Sequence, residues 1–206
     1  MIVESVNVGS TVEVPWGSLK RSAIDKRPVA GPVRVHCLGL GGDEIADLIH
    51  HGGVDKAVYA FAAEDLEEWS VVTGREFVPG QFGENLTTRG VDLFEVRIGE
   101  RWRIGTAVLE AACVRIPCSV FQGFVDQLHW VRRFTERGRP GVYFRVITEG
   151  EIEAGDEITV VEERPHDLTI GYLFRAMTTD RSLLPPLLAE PRISAKVRKV
   201  TEQYML

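Results

Sequence analysis

One recurring unit constrains this chain most: a short apolar or alternating run closed by glycine or proline. Ile2 to Val8 alternates in part and runs into Gly9-Ser10, and Val33 to Leu38 lies between Gly31-Pro32 and Gly39. Ala57 to Ala62 reads A-V-Y-A-F-A, and Arg97 to Arg115 reads as two strands with Gly99 and Gly105 at turns. Val142 to Ile147 and Glu157 to Val161 complete the set. Runs this short, bounded this way, are strand signals. Spread over residues 1–165, they predict a β-barrel or sandwich. Gly150 to Val160 reads as a hairpin turning at Ala154-Gly155-Asp156. Two helices interrupt. Ala63 to Thr73 carries Leu66, Trp69 and Val72 before Gly74, and Val125 to Arg137 carries Leu128, Val131 and Phe134 before Gly138. The spacing is helical and each glycine is a stop signal. The expected class is mixed β/α, mainly β.

The pattern changes after Glu162-Glu163-Arg164-Pro165-His166-Asp167. Helices are predicted over Thr169 to Met177, Ser182 to Ala189 and Ser194 to Tyr204, so the expected division is a β-rich domain at 1–165 and a three-helix unit at 166–206. So small a unit has little independent core. It is expected to dock on the first domain or on a second subunit, the latter making a homodimer. Charge changes at the same place. Residues 168–206 hold six basic and three acidic side chains, whereas the remainder of a chain with net charge −6 is strongly acidic. A basic tail of this kind can also meet an acidic partner.

Composition excludes several classes. With 44% apolar and 26% charged residues, the chain is neither disordered nor collagen-like nor a coiled coil. No run of about 18 apolar residues is present, so no membrane span or membrane partner is expected. The N-terminus lacks a secretory pattern, and three cysteines make no disulfide framework, so a cytoplasmic location is expected. The acidic balance argues against nucleic acid as a partner.

Four segments can carry chemistry. Cys118 follows Pro117 and lies three residues after Arg115, where a strand ends. A cation nearby favours a thiolate, although on spacing alone a small buried hydrophobe is the commoner reading. Cys37 and Cys113 lie in apolar runs and read as core. The cysteine spacing argues against an iron–sulfur cluster or a structural zinc site. His50-His51-Gly52-Gly53-Val54-Asp55-Lys56 is dense in polar chemistry and precedes an apolar strand; it reads as a barrel-mouth site or as a solvated turn with Asp55 and Lys56 paired. Pro79 to Thr88 is a polar loop rich in glycine, with Glu84 and Asn85, that lacks Rossmann or Walker spacing. Gly39 to Glu44 raises the same question. Lys20-Arg21 and Lys26-Arg27 would suit a phosphate or a solvated strand edge.

The order of these segments is more specific than any one of them. Lys26-Arg27-Pro28-Val29 is followed by Gly42-Asp43-Glu44 to Asp47, then by His51-Gly52-Gly53 to Asp55-Lys56-Ala57-Val58-Tyr59. Gly80 to Phe82-Gly83-Glu84-Asn85-Leu86 and Arg115 to Pro117-Cys118 close the series. This series resembles the MOSC family (molybdenum cofactor sulfurase C-terminal domain), specifically its YiiM-like branch, over nearly all of residues 1–165. Residues 168–206 are similar to the small three-helix "3-alpha" domain of that branch.

The resemblance implies a MOSC-type β-barrel with peripheral helices and a pterin-based molybdenum cofactor (molybdopterin). It implies Cys118 as the metal ligand and reduction of N-hydroxylated small molecules, such as 6-hydroxylaminopurine. On that reading Lys26, Arg27 and Lys56 would meet the cofactor phosphate. Arg115 would meet an anionic part of the cofactor, and Glu84 and Asn85 would hydrogen-bond the pterin. His51 and Asp55 would orient substrate or relay protons. No flavin, haem or iron–sulfur motif is legible, so a separate electron-donating reductase is the expected partner. The alternative is a non-catalytic carrier of the cofactor or of cysteine-bound sulfur.

Overall fold

The computed structural model describes residues 1–206. Six strands lead the chain: β1 (Ile2–Val8), β2 (Val12–Glu13), β3 (Arg21–Ser22), β4 (Arg27–Pro28), β5 (Val33–His36) and β6 (Gly39–Leu40). Next come β7 (Val58–Ala62), α1 (Ala63–Thr73), β8 (Leu86–Arg89), β9 (Arg101–Ile104) and β10 (Ala107–Val114). Then follow α2 (Ser119–Val125), α3 (Trp130–Arg137), β11 (Val142–Thr148), β12 (Gly150–Ile152) and β13 (Ile158–Glu162). Two helices close the chain, α4 (Ile170–Thr178) and α5 (Ala195–Tyr204).

Eight strands make one sheet in the order β13-β9-β10-β11-β7-β8-β1-β4. Its end strands β13 and β4 do not pair, so the ladders do not close into a barrel. The sheet still curls. Ile2 bridges Glu157, and Val3 N donates to Asp156 O at 2.9 Å. The fold is mixed and mainly β. All pairs are antiparallel except β7–β8, which the crossover through α1 makes parallel. That parallel pair sets Asn85, one residue before β8, beside Tyr59 of β7. Asn85 N donates to Tyr59 O at 2.7 Å. Strand β10 is covered on both faces, and Leu109 to Val114 are all buried.

Four further expectations need correction. The strands flanking Ala154-Gly155-Asp156 do not form a hairpin: β12 pairs with β5 and β13 with β9. The turn itself is present, with Gly155 at φ 95°. The helix expected over 125–137 is confined to α3, because Asp126 and His129 take φ of 52° and 56° and separate it from α2, which ends at Val125 and lies before the expected range. Ser182 to Ala189 forms two 3-10 turns, since Pro185 and Pro186 cannot donate to a helical ladder. Cys37 is exposed rather than core, while Cys113 is buried as expected.

The C-terminal helices dock on their own chain. Ile170, Leu173, Phe174, Leu184 and Leu187 are buried in one apolar cluster with the sheet residues, each contributing roughly 1.5–3 kcal/mol relative to exposure. Ile170 N and Gly171 N donate to Val96 O and Phe94 O at 2.8 and 2.9 Å. A Cβ on Gly171 would stand 2.2 Å from the Phe94 ring, so the close approach requires glycine. Thr169 and Ser194 cap α4 and α5 by accepting from Tyr172 N and Val197 N. No helix is long and apolar enough to cross a membrane.

Candidate functional site

A hollow of about 760 Å³, its open mouth included, lies where β10 ends and β7 and β8 begin. That is the size of a small-molecule or cofactor site. Its wall includes Cys118, His51, Lys56, Lys26, Asn85 and Arg115. The sequence scatters these six over about ninety positions, and the sheet gathers them.

Cys118 is the N-cap of α2, with extended backbone at φ −135°, and is half-buried. Pro117 before it disfavours helical backbone at Ile116, so the chain leaves β10 extended and starts α2 after the thiol. Phe121 anchors α2. It is buried against Phe82 at 5.1 Å, Phe134 at 5.2 Å and Trp130 at 5.3 Å, all edge-on. Pairs of this kind contribute about 0.5–1.5 kcal/mol each beyond their burial. Cys118 Sγ lies 4.0 Å from His51 Nε2. Burial, followed by the Arg115 and Lys56 charges, pushes His51 down to about 4. The imidazole is therefore neutral at pH 7.

Arg115 is buried and donates to Phe82 O at 2.6 Å. Its guanidinium stacks over Phe121 at 4.2 Å and Tyr59 at 5.2 Å. No carboxylate pairs with it, and its Nε is buried without a partner. Lys56 likewise has only a carbonyl partner, His50 O. Burial holds Lys56 below the ordinary lysine value. Lys26 differs, because Asp43 pairs with it directly. Gly80 makes that corner possible: at φ 91°, its Cβ would stand 2.4 Å from Lys26 O. Asn85 spends its amide locally, accepting from Tyr59 N at 3.1 Å and donating to Asp43 at 2.9 Å.

Three predicted site residues lie elsewhere. Arg27 alternates outward from Lys26 on β4 and pairs with Asp25 at 2.6 Å near solvent. Asp55 faces away from the hollow and pairs with Arg145 at 2.6 Å, not with Lys56. Glu84 is 0% exposed and clamps its own loop, accepting from Gly80 N, Phe82 N and Thr87 Oγ1. Burial raises its carboxyl against those bonds. Conversely, the hollow recruits Tyr59 and Tyr143, which the apolar strand runs concealed. The only available signal was a tyrosine, with its polar tip, inside a fully buried run.

The residues present fit a cofactor that brings most of its own metal ligands. One open sulfur is available, no cluster of three or more His, Cys, Asp or Glu side chains is assembled, and the orphaned Arg115 Nε awaits an acceptor. The lining carboxylates Asp43, Glu44 and Asp47 are already engaged by Lys26 and Asn85, by Thr11 N and by His50 respectively, which leaves the Cys118 sulfur as the open metal ligand.

Comparison with known proteins agrees with the ordered motifs. The MOSC domain model matches residues 47–159. Protein YflK of Bacillus subtilis is 30% identical over 174 residues, which cover 84% of this chain and 79% of YflK. A protein named reductase from Gibberella moniliformis is 30% identical over 191 residues, covering 89% of this chain but 34% of that longer protein. The crystal structure of YiiM from Geobacillus stearothermophilus superposes with a TM-score of 0.83 at 29% identity, covering 100% of this chain and 99% of that one. The hollow, its single open cysteine and these similarities lead to one assignment: the chain belongs to the MOSC domain family, which is associated with the molybdenum cofactor.

Proposed function

We propose that this chain binds a pterin-based molybdenum cofactor in the hollow and reduces N-hydroxylated small molecules such as hydroxylamino purines. One observation carries the reading: Cys118 opens into a hollow that also holds Arg115 and Lys56, beside His51 and Asn85, instead of being sealed in the core. When bound, the cofactor supplies the two-electron redox chemistry.

The chain's own residues do the rest. Cys118 offers a soft thiolate to the metal. Arg115 and Lys56, which lack carboxylate partners, hold the cofactor's anionic groups. Lys26 and Asn85 keep that wall in place through Asp43. Glu84 supports the loop that carries Asn85, and Asp55 supports the turn that carries Lys56. His51, neutral and beside the thiol, accepts a proton from solvent and passes it towards the leaving oxygen. The reaction consumes two electrons and two protons: R–NHOH becomes R–NH2 and water.

The electrons come from a separate reductase, and the reductase-named relative supports the enzymatic half of the reading. Residues 1–165 form the cofactor-binding unit in this scheme, and 166–206 the helical appendage.

The test is metal and pterin analysis of protein from a host that makes the cofactor, followed by turnover with an artificial donor and 6-hydroxylaminopurine. Near-stoichiometric molybdenum is expected, with Cys118→Ala reducing turnover to background while the fold is kept. Protein without molybdenum, or a fully active variant, overturns the proposal. Cofactor without turnover on any hydroxylamino compound identifies a carrier instead.

A further inference from the structure

Tyr143 lies on β11, opposite Tyr59 of β7 on one side and Cys113 of β10 on the other. Its ring is buried and stacks on Tyr59, with centroids 4.7 Å apart and planes 30° apart. Lys56 Nζ sits 5.7 Å from the ring centroid. Two neighbouring strands and a lysine thus fix the ring, which forms part of the same wall as Cys118.

The hydroxyl is treated differently from those of buried Tyr59 and half-buried Tyr172. Tyr59 Oη donates to Pro140 O at 2.7 Å, and Tyr172 Oη to Leu183 O at 2.9 Å. The Tyr143 hydroxyl makes no hydrogen bond to the protein, yet it is not among the polar atoms sealed from solvent without a partner. It therefore borders the open space of the hollow. Buried tyrosines ordinarily find a partner for the O–H, and here a ligand is left to provide one.

Among the polar groups around Tyr143 the others are committed or charged, and the neutral hydroxyls of Ser18 and Ser22 lie on the segment before β4, away from β11. Asn85 serves Asp43 and Tyr59, and Lys26 serves Asp43. Arg115 and Lys56 suit anions. Tyr143 presents a neutral donor, and burial pushes its ionisation up to about 12, so the proton stays on through the physiological range.

We infer that the Tyr143 hydroxyl donates to the N–O oxygen of an N-hydroxylated substrate, and so separates substrate from the amine product. The inference rests on the proposed reduction and names the residue that selects its substrate class. A site built to hydrogen-bond a hydroxyl disfavours the analogue that lacks it. The amine product has lost that oxygen, so it loses this contact and leaves.

The experiment measures, by calorimetry on the full chain, the affinity for 6-hydroxylaminopurine and for adenine, which differ by that one oxygen. Wild type is compared with Tyr143→Phe, which keeps the ring and its stacking. Wild type is expected to prefer the hydroxylamino base by about tenfold, as one neutral hydrogen bond allows. The variant is expected to bring the two affinities within about twofold while adenine binding stays as in wild type. An undiminished preference in Tyr143→Phe, or no preference in wild type, overturns the inference. Molybdenum content is read on the same samples. If Tyr143→Phe alone loses the metal, the tyrosine holds cofactor and the inference falls. If wild type carries none, the proposed reduction falls, and the two binding constants still decide the role of Tyr143.

Discussion

Two charge clusters share β10 and β11 and are built by opposite rules. In one, Arg101, Arg145, Arg164 and Arg192 meet Asp55, Glu110, Glu162 and Glu190 in a continuous network. Four guanidiniums face four carboxylates, and Glu110 and Glu162 each serve three of the arginines. In the other, five residues further along the chain from Glu110, Arg115 has a carbonyl and aromatic faces but no carboxylate. Lys56 beside it is no better matched. Desolvating a charge is costly unless the protein supplies a counter-charge. The closed network meets that cost internally and is structural. The open one leaves positive charge unmatched, which is the condition for receiving an anion. The same contrast explains the uneven charge along the chain. Arg192 from the basic tail reaches Glu110 and Glu162 of the acidic part, so the asymmetry is resolved within one chain.

Breaking the closed network tests this most severely. Glu110→Ala takes one of two carboxylate partners from Arg101, Arg145 and Arg192, and about 3 kcal/mol of stability is expected to disappear from urea unfolding. Comparable destabilisation by Lys56→Met would erase the distinction between the clusters.

His51 sharpens the comparison through pH. It takes a proton near 6.5 when unfolded but only near 4 when folded. The unfolded state therefore binds more protons between those values, and stability falls as pH drops from 6.5 to 4. Discounted for partial exposure, the loss is roughly 2–3 kcal/mol. Denaturation midpoints measured across that window should slope less in His51→Gln by this amount.

Asp55 joins the two regions. Its carboxylate holds Arg145 and accepts from Ala195 N at 3.3 Å, while its own carbonyl accepts from Cys113 Sγ at 3.4 Å. Asp55→Asn is expected to cost about 1–2 kcal/mol. Hydrogen exchange should quicken in the first turn of α5 and in the turn around Lys56 together; acceleration in α5 alone would disconnect the regions. The smallest effect on stability is expected from Lys56→Met, within about 0.5 kcal/mol. The amount of cofactor surviving gel filtration should nonetheless drop, since an unmatched cation has been removed; unchanged retention would make Lys56 a bystander.

The strands were legible wherever a run was apolar and punctuated, as at Ile2–Val8, Val58–Ala62 and Val142–Thr148. Helix α1 was legible through its spacing and Gly74. Strand β8 was not, because Glu84-Asn85-Leu86-Thr87-Thr88 reads as polar loop; its threonines are buried by neighbours from remote sequence. Position in the hollow was legible for Cys118, His51, Lys56, Lys26, Asn85 and Arg115, whose residue types carry chemistry. It failed for Glu84 and Asp55, because a carboxylate that clamps a loop and one that meets a ligand look alike in sequence. Only the partners, Gly80 N and Arg145, tell them apart. Arg27 was separable in principle, since strand alternation sends it opposite to Lys26.

The seam between β1 and the start of β13 also orders events in time. Val3 and Met1 exchange backbone bonds with Gly155, Asp156 and Ile158, more than 150 positions away. Such remote pairing closes slowly. During synthesis, β1 stays without that neighbour until more than 150 further residues have been added.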